Sequence, residues 1–361
     1  LTLTTNDPTG PCPAAADSMI LTIDLAATVN AGTDDSICEG SAYTLSGTIG
    51  GGASSSTWTT SGTGTFNDSS LLAAIYTPSA ADIATGSVTL TLTTNDPPGL
   101  CTAIADAMVL TINPAAIVNA GTDTTICEGS TYTLSGTRGG GATSSTWSTL
   151  GTGTFNDTTL LSATYTPSGA DITMGSVTLI ITTDNPSGPC TAATDSMILT
   201  INIAATVNAG VDDTICSGFT YTLSGTRGGG ATSSTWATSG TGTFNDSSLL
   251  AAIYTPSAAD TTAGIVTLTI TTNDPDGGGP CPYETDSMVL TISDGINVDA
   301  GSSQTVCANN PNIVLSGSVS GATATGIWTT SGTGFFSPDS VTLITTYLPS
   351  ASDTASSTIT L

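Results

Sequence analysis

Residues 56–82 read STWTTSGTGTFNDSSLLAAIYTPSAAD, and the stretch returns at 145–171, at 234–260 and, more loosely spelled, at 326–353. Working outward from it, Trp58, Trp147 and Trp236 stand 89 residues apart, and Trp328 follows 92 later. Cys38, Cys127 and Cys216 also step by 89, and Cys307 follows after 91. Solenoid repeats of roughly 20–50 residues cannot bury a core singly. A unit near 90 residues can, being about the size of an immunoglobulin-like sandwich. The period therefore predicts an all-β chain of tandem Ig-like β-sandwich domains arranged head to tail.

The alternation inside one copy agrees. In residues 87–93 (SVTLTLT), Val88, Leu90 and Leu92 point one way and the threonines the other, as in a half-buried strand. Residues 106–112 (DAMVLTI) form the last strand, after the turn signal NDPPG at 95–99. Trp58 sits on a strand, residues 71–77 form another closed by Pro78, and residues 50–56 (GGGASSS) are a loop. About seven strands per repeat result. Thr, Ser and Gly dominate, a poor vocabulary for helices, so none is expected. The expected boundaries are residues 1–24 as the last strands of a preceding or strand-complemented repeat, then repeats at 25–113, 114–202, 203–293 and 294–361, the last without its final strands. Two readings account for the partial ends: a window on a longer array, or a subunit whose N-terminal strand completes a neighbour's last domain.

With 28 acidic residues, two arginines, no lysine and no histidine, the net charge is −26. That excludes nucleic acid and anionic membrane as partners, since both demand a basic patch. Disorder is excluded by composition, with only 8% charged residues against 38% apolar ones. No apolar run approaches the roughly 18 residues of a membrane span. Catalysis is not expected: acids recur with every repeat, in turns, and no one-off constellation stands apart from the period. Eight regularly placed cysteines suit an oxidising, extracellular compartment.

The segments VNAGTDDSICEG, YTLSG, YTPSAAD, SVTLTLTT and DSMVLTI resemble the tandem PKD-like/Ig-like repeats of giant secreted surface adhesins and filament proteins of Bacteroidota, gliding-type adhesins among them. The resemblance covers essentially the whole chain. It implies Ig-like sandwiches, export to the cell surface and a structural shaft carrying a tip elsewhere. Its partners would be other repeats of the same long chain, identical chains in a filament, and surface glycans. It also implies O-glycosylation at Asp-Ser/Thr before an aliphatic residue or methionine, which marks Ser18, Ser36, Ser196, Thr214 and Ser287.

The second cysteine series, Cys12, Cys101, Cys190 and Cys281, precedes the last strand of each copy. One pairing closes each repeat on itself: Cys38–Cys101, Cys127–Cys190 and Cys216–Cys281. A second bridges the link between copies, Cys12–Cys38 and its equivalents. A third staples successive repeats, Cys38–Cys190 and Cys127–Cys281. Seven strand residues span ~23 Å, while bonded cysteines need Cα atoms within about 7 Å. That disfavours the first pairing and favours the third, with the first as the alternative. Asp34, Asp35, Asp123, Asp212 and Asp213 are candidate Ca²⁺ ligands at the repeat junctions, although Asx residues beside glycine are first of all turn formers. No other cofactor is indicated. Trp58, Tyr76, Tyr43 and Phe66, which recur with the period, are expected in the core rather than on a sugar-binding platform. Arg138 and Arg227 are expected to meet local carboxylates.

Overall fold

The computed structural model describes residues 1–6, 9–356 and 358–361. Two compact units divide the chain. One comprises Leu1–Thr124 with Ser130–Thr200, the other Thr125–Gly129 with Ile201–Leu361. The fold is all-β, a tandem array of Ig-like β-sandwich repeats, and the first repeat shows how the sequence produces it.

The first unit opens with a hairpin of β1 (Thr2–Thr4) and β2 (Ala16–Ser18). Then come β3 (Ala27–Asn30), β4 (Asp35–Cys38), β5 (Tyr43–Thr44), β6 (Thr48–Gly51), β7 (Ser56–Thr60), β8 (Thr65–Phe66), β9 (Ile75–Thr77), helix α1 (Ala80–Thr85), β10 (Ser87–Thr94) and β11 (Ala105–Asn113). One layer is a four-stranded sheet in the order β4-β11-β10-β7. Facing it are β5-β9-β8 and the β3-β6 pair.

Strand β10 alternates strictly. Val88, Leu90 and Leu92 are buried, and the threonines between them face outward. Its antiparallel partner β11 sets Leu110 opposite Val88 and Met108 opposite Leu90, while β7 sets Trp58 opposite Leu92. These residues, with Tyr76 from β9 and Leu45, fill one core. Phe66 caps it, its ring centroid 5.0 Å from that of Tyr76. Each large apolar side chain so buried contributes up to about 1.5–3 kcal/mol. Strand β4 runs parallel to the end of β11, Ile37 beside Ile112. The third repeat, in the second unit, carries the same core around Trp236, Tyr254, Leu268 and Leu290.

Strand β9 covers only Ile75–Thr77 of the expected 71–77, because residues 71–74 turn back on themselves, the Ala74 amide donating to the Leu71 carbonyl at 3.2 Å. Two further expectations are corrected. Each repeat contains a helix. In the first, Ser79 caps it by accepting from the Asp82 amide, and the Asp82 carboxylate accepts the Ser79 amide in return. Gly86 ends it at φ 81°, a left-handed backbone that glycine adopts without steric cost. Six residues have no helical stability alone, so these two caps and the packing of Ile83 hold the turn in place. Second, the glycine run at 50–52 is not wholly a loop. Gly50 and Gly51 belong to β6 and pair with Thr28 and Ala27. Gly51 turns at φ 65°, and a Cβ there would run into the Ala26 carbonyl oxygen, so backbone conformation and close approach, not strand propensity, select glycine at that position.

Candidate functional site

The recurrent site of this chain is the seam between consecutive repeats. At the first seam, β4 ends on Cys38, which registers with Asn113, the last residue of β11. The Asn113 carbonyl accepts the Glu39 amide at 2.8 Å, and its side-chain amide donates to the Ile37 carbonyl at 3.3 Å. Glu39 then reaches past the seam, its Oε2 accepting the Ala115 amide at 3.3 Å. Between them stands Pro114, which supplies no amide and holds its φ near −65°. Two backbone positions of the link are thus tied to one glutamate and one asparagine.

The covalent part of the seam is a disulfide. Cys38 pairs with Cys190 of the second repeat, Cα–Cα 5.0 Å, across 152 residues of sequence. Cys190 Sγ also lies 3.5 Å from the Asn113 carbonyl oxygen. The second seam, inside the other unit, repeats the pattern. Cys127 pairs with Cys281, Cα–Cα 4.9 Å, across 154 residues. Glu128 donates its amide to the Asn202 carbonyl at 2.8 Å and accepts the Ala204 amide at 3.2 Å. Here Asp276, from the longer loop of the third repeat, adds a bond. Its Oδ2 accepts both the Asn202 side-chain amide and the Cys281 amide at 3.0 Å. Those donors hold its carboxyl below the ordinary range, the Asn202 side chain first.

Cys38 and Cys101 are kept apart by β11 itself: Cys38 lies beside its last residue, whereas Cys101 precedes its first. Nine strand residues span ~30 Å. Cys12, Cys101, Cys216 and Cys307 are unpaired thiols in this structure.

The five aspartates considered for calcium are engaged by the chain. Asp34 Oδ1 accepts the Val109 amide, Asp123 Oδ1 that of Ile198 and Asp212 Oδ1 that of Val289, each at 2.8 Å. Asp35 accepts the Ser36 amide and the Tyr43 hydroxyl, and Asp213 the Thr214 amide. Among the described residues no three or more His, Cys, Asp or Glu side chains converge as a metal-binding group would. The arginines differ from expectation. Arg138 and Arg227 each donate to a serine hydroxyl, Ser145 at 3.4 Å and Ser234 at 3.2 Å, rather than to a carboxylate. Of the hydroxyl residues marked for glycosylation, Ser18, Ser196, Thr214 and Ser287 are exposed and Ser36 is half-buried. Trp58 and Tyr76 are buried, and Tyr43 and Phe66 pack half-buried against them.

Three residues with structural roles escaped the reading of the sequence, two glutamates at the seams and one aspartate inside a repeat. Glu39 and Glu128 looked like turn residues, and only their place directly after a cysteine, with Asn-Pro or Asn-Ile 74 residues later, marks them. Asp82 was counted among the turn acids, although Ser-x-x-Asp before an apolar strand is a capping signal.

No protein-family model matches the chain, and neither does any curated protein. Solved structures do. The I-band fragment I67-I69 from titin aligns with 75% of this chain and 99% of its own length, at 11% identity and TM-score 0.44. Mouse cadherin-23 EC22-24 aligns with 75% of this chain and all of its own, at 14% identity and TM-score 0.35. The protocadherin GammaB4 extracellular domain aligns with 94% of this chain at 13% identity and TM-score 0.35, and the chain spans 64% of that protein's length.

Proposed function

We propose that this chain is a structural segment of an extracellular, cell-surface shaft, in which Ig-like repeats at 25–113, 114–202, 203–293 and 294–361 act as links and the seams between them limit bending. The observation that carries this reading is the pairing of Cys38 with Cys190 and of Cys127 with Cys281, each joining one repeat to the next. A disulfide inside a repeat would stabilise that repeat alone. One that crosses a seam fixes two bodies at a second point besides the peptide link, and two fixed points remove most rotations about the linker. The glutamate and asparagine bonds of each seam act in the same sense. Disulfides of this kind persist in an oxidising compartment, which supports an extracellular location. The charge of −26 keeps such shafts soluble and apart. Exposed Ser18, Ser196, Thr214 and Ser287 are the positions at which O-linked sugar would be sought by intact mass.

Small-angle scattering of the whole chain, oxidised and then reduced, tests the shaft. Reduction is expected to broaden the distribution of maximum dimensions while circular dichroism stays that of folded β-structure. Superimposable curves in the two states would remove the disulfides from any role in stiffness.

A further inference from the structure

Arg138 and Arg227 are the only basic side chains in the sequence, set against 28 acidic ones. They occupy one register position in two consecutive repeats. Arg138 pairs with Val118 and Arg227 with Val207, as Ile49 pairs with Val29 in the first repeat. Ile49 packs half-buried against the core there. An arginine stem covers the same apolar margin while its charged head stays in water, and both arginines are exposed.

Each guanidinium is held but not neutralised. Arg138 Nη1 donates to Ser145 Oγ at 3.4 Å and Arg227 Nη1 to Ser234 Oγ at 3.2 Å. Both serines are 4% exposed and make fixed anchors. A guanidinium carries five donors in a planar fork that matches a carboxylate. Among the described residues, each arginine spends one of them on its serine and none on a carboxylate.

The opposite charge lies on the same edge of the repeat. Ser145 opens the strand Ser145–Thr149, which borders its four-stranded sheet. Two residues on, the Trp147 amide donates to the Thr158 carbonyl at 2.8 Å. Thr158 follows Asp157, an exposed carboxylate that engages the chain through Oδ1, accepting the Thr159 amide and hydroxyl at 2.8 and 2.7 Å. The third repeat is built alike. Ser234 opens the bordering strand Ser234–Thr238, Trp236 donates to the Ser247 carbonyl at 2.9 Å, and Asp246 Oδ1 accepts from Ser248. Three residues beyond these aspartates, Leu160 and Leu249 are 46% and 48% exposed. One edge thus presents a cation, an anion and an apolar side chain to the outside.

We propose that this edge docks on the same edge of a second copy of the chain, Arg138 of one copy meeting Asp157 of the other and Arg227 meeting Asp246. The edge is self-complementary: about a local two-fold axis, each guanidinium meets a carboxylate and each carboxylate a guanidinium. Elsewhere two chains of charge −26 repel one another, so the net charge keeps shafts apart except where the arginines locally reverse it. An anionic polysaccharide would also answer the arginines, but it would set its charge against Asp157 and Asp246. A second copy answers both signs. The first repeat has Ile49 in place of the arginine and takes no part, although Asp68 and Leu71 stand exposed on it.

The inference goes beyond the reading of the repeats as a shaft and does not need the seams to be stiff. The purified 361-residue chain, its two disulfides intact and its other thiols alkylated, is sedimented over a concentration series at about 0.15 M salt. Concentration-dependent association is expected. Arg138→Ile with Arg227→Ile installs the residue that the first repeat carries, so the fold stands. Exposed ion pairs are individually weak and act together, and their joint loss weakens association at least about tenfold. A charge swap is sharper. A chain with Arg138→Asp and Arg227→Asp, and another with Asp157→Arg and Asp246→Arg, should each stay monomeric alone and associate when mixed. Both chains remain strongly acidic, so net charge does not account for such pairing. Circular dichroism checks each fold, and the isoleucine variant decides alone if the Asp→Arg chain does not fold. Hydrogen exchange of the associated parent should protect residues 157–160 and 246–249 and leave 68–71 as in the monomer. A monomer at every concentration, association that survives the isoleucines, or equal protection of the first repeat would overturn the proposal. So would retention on immobilised polygalacturonate by a chain that stays monomeric, which would assign the arginines to an anionic glycan. A monomer whose scattering still responds to reduction of its disulfides sinks the docking and leaves the shaft. Association by a chain whose scattering ignores reduction does the reverse.

Discussion

Tyr76 gives its hydroxyl hydrogen to Asp82 Oδ2 across 2.8 Å, and both side chains are closed off from solvent. Asp82 also accepts the amides of Ser79 and Thr63 at 3.0 and 2.9 Å. The carboxylate therefore caps the helix, anchors the turn after β7 and orients the core tyrosine at once. The same triad of contacts recurs at Asp171, Asp260 and Asp353.

Acid should dissolve this clip. Burial alone would raise the Asp82 carboxyl, but the Ser79 and Thr63 amides and the Tyr76 hydroxyl outweigh it and lower it from 3.8 to about 2. Asp260 is lowered to about 2 by the same balance of causes. A depressed folded value means stability that is complete above the unfolded pKa and lost as pH falls through the folded one. Thermal midpoints are expected to hold from pH 7 to about 4 and to drop between about 4 and 2. Asp82→Asn removes one carboxylate's share of that drop. It also costs the first repeat about 1–3 kcal/mol at neutral pH, because an amide nitrogen now faces donors. A midpoint that falls equally in the variant would show that other carboxylates govern acid unfolding.

Tyr76→Phe should be milder. The ring stays packed on Phe66 and Trp58's neighbours, and Asp82 keeps its two amides. What goes is one hydroxyl shared between Asp82 and Thr60 Oγ1, 3.0 Å away. A loss of about 1 kcal/mol is expected in denaturant unfolding. Combined with Asp82→Asn, the two losses should be less than additive, since both remove the same bond. Strict additivity in that cycle would deny the coupling.

Gly47 is held by packing, not by its backbone. A Cβ there would lie 2.7 Å from both Leu92 Cδ2 and Trp58 Cζ2. Gly136, Gly225 and Gly317 meet the tryptophan of their own repeats as closely. Gly47→Ala is expected to destabilise the first repeat by about 1–3 kcal/mol through overpacking. Tryptophan emission during urea unfolding of the whole chain would resolve one early transition out of four. An unshifted curve would mean that the indole moves aside at no cost.

These contacts explain what could be read from the chain and what could not. The alternation of Val88, Leu90 and Leu92 against threonine is a period-two signal over eight residues, and it gave the strand its face and its extent. The helix at Ala80–Thr85 spans under two turns, too few for a 3.6-residue period to register, so only its caps, Ser79, Asp82 and Gly86, could have marked it. Gly50 and Gly51 lie in a strand because Thr28 and Ala27 pair with them, a tertiary demand that overrides glycine's poor strand propensity. The seam was half visible. Its cysteines announce themselves by period, but the reach of Glu39 to Ala115 depends on where two repeats meet, which no local pattern encodes.

The seam itself yields the last expectation. Cys38→Ser with Cys190→Ser removes the covalent tie and leaves the Glu39–Asn113 and Glu39–Ala115 bonds in place. Neither cysteine lies among the apolar residues that fill the core of the first repeat, so that repeat should fold as before. What changes is the unfolded chain, which regains the freedom of a 152-residue loop, a loss of about 2–5 kcal/mol. In calorimetry, the first and second repeats of the parent chain should melt as a coupled pair and those of the variant separately, at lower temperatures. Proteolysis should meanwhile open residues 113–115, where the seam now breathes. The Cys127→Ser, Cys281→Ser pair is the internal control: it should uncouple the second repeat from the third and leave the first seam protected. Were both variants to melt as the parent does, the seams would be held by their hydrogen bonds alone, and the disulfides would add nothing to the coupling of one repeat to the next.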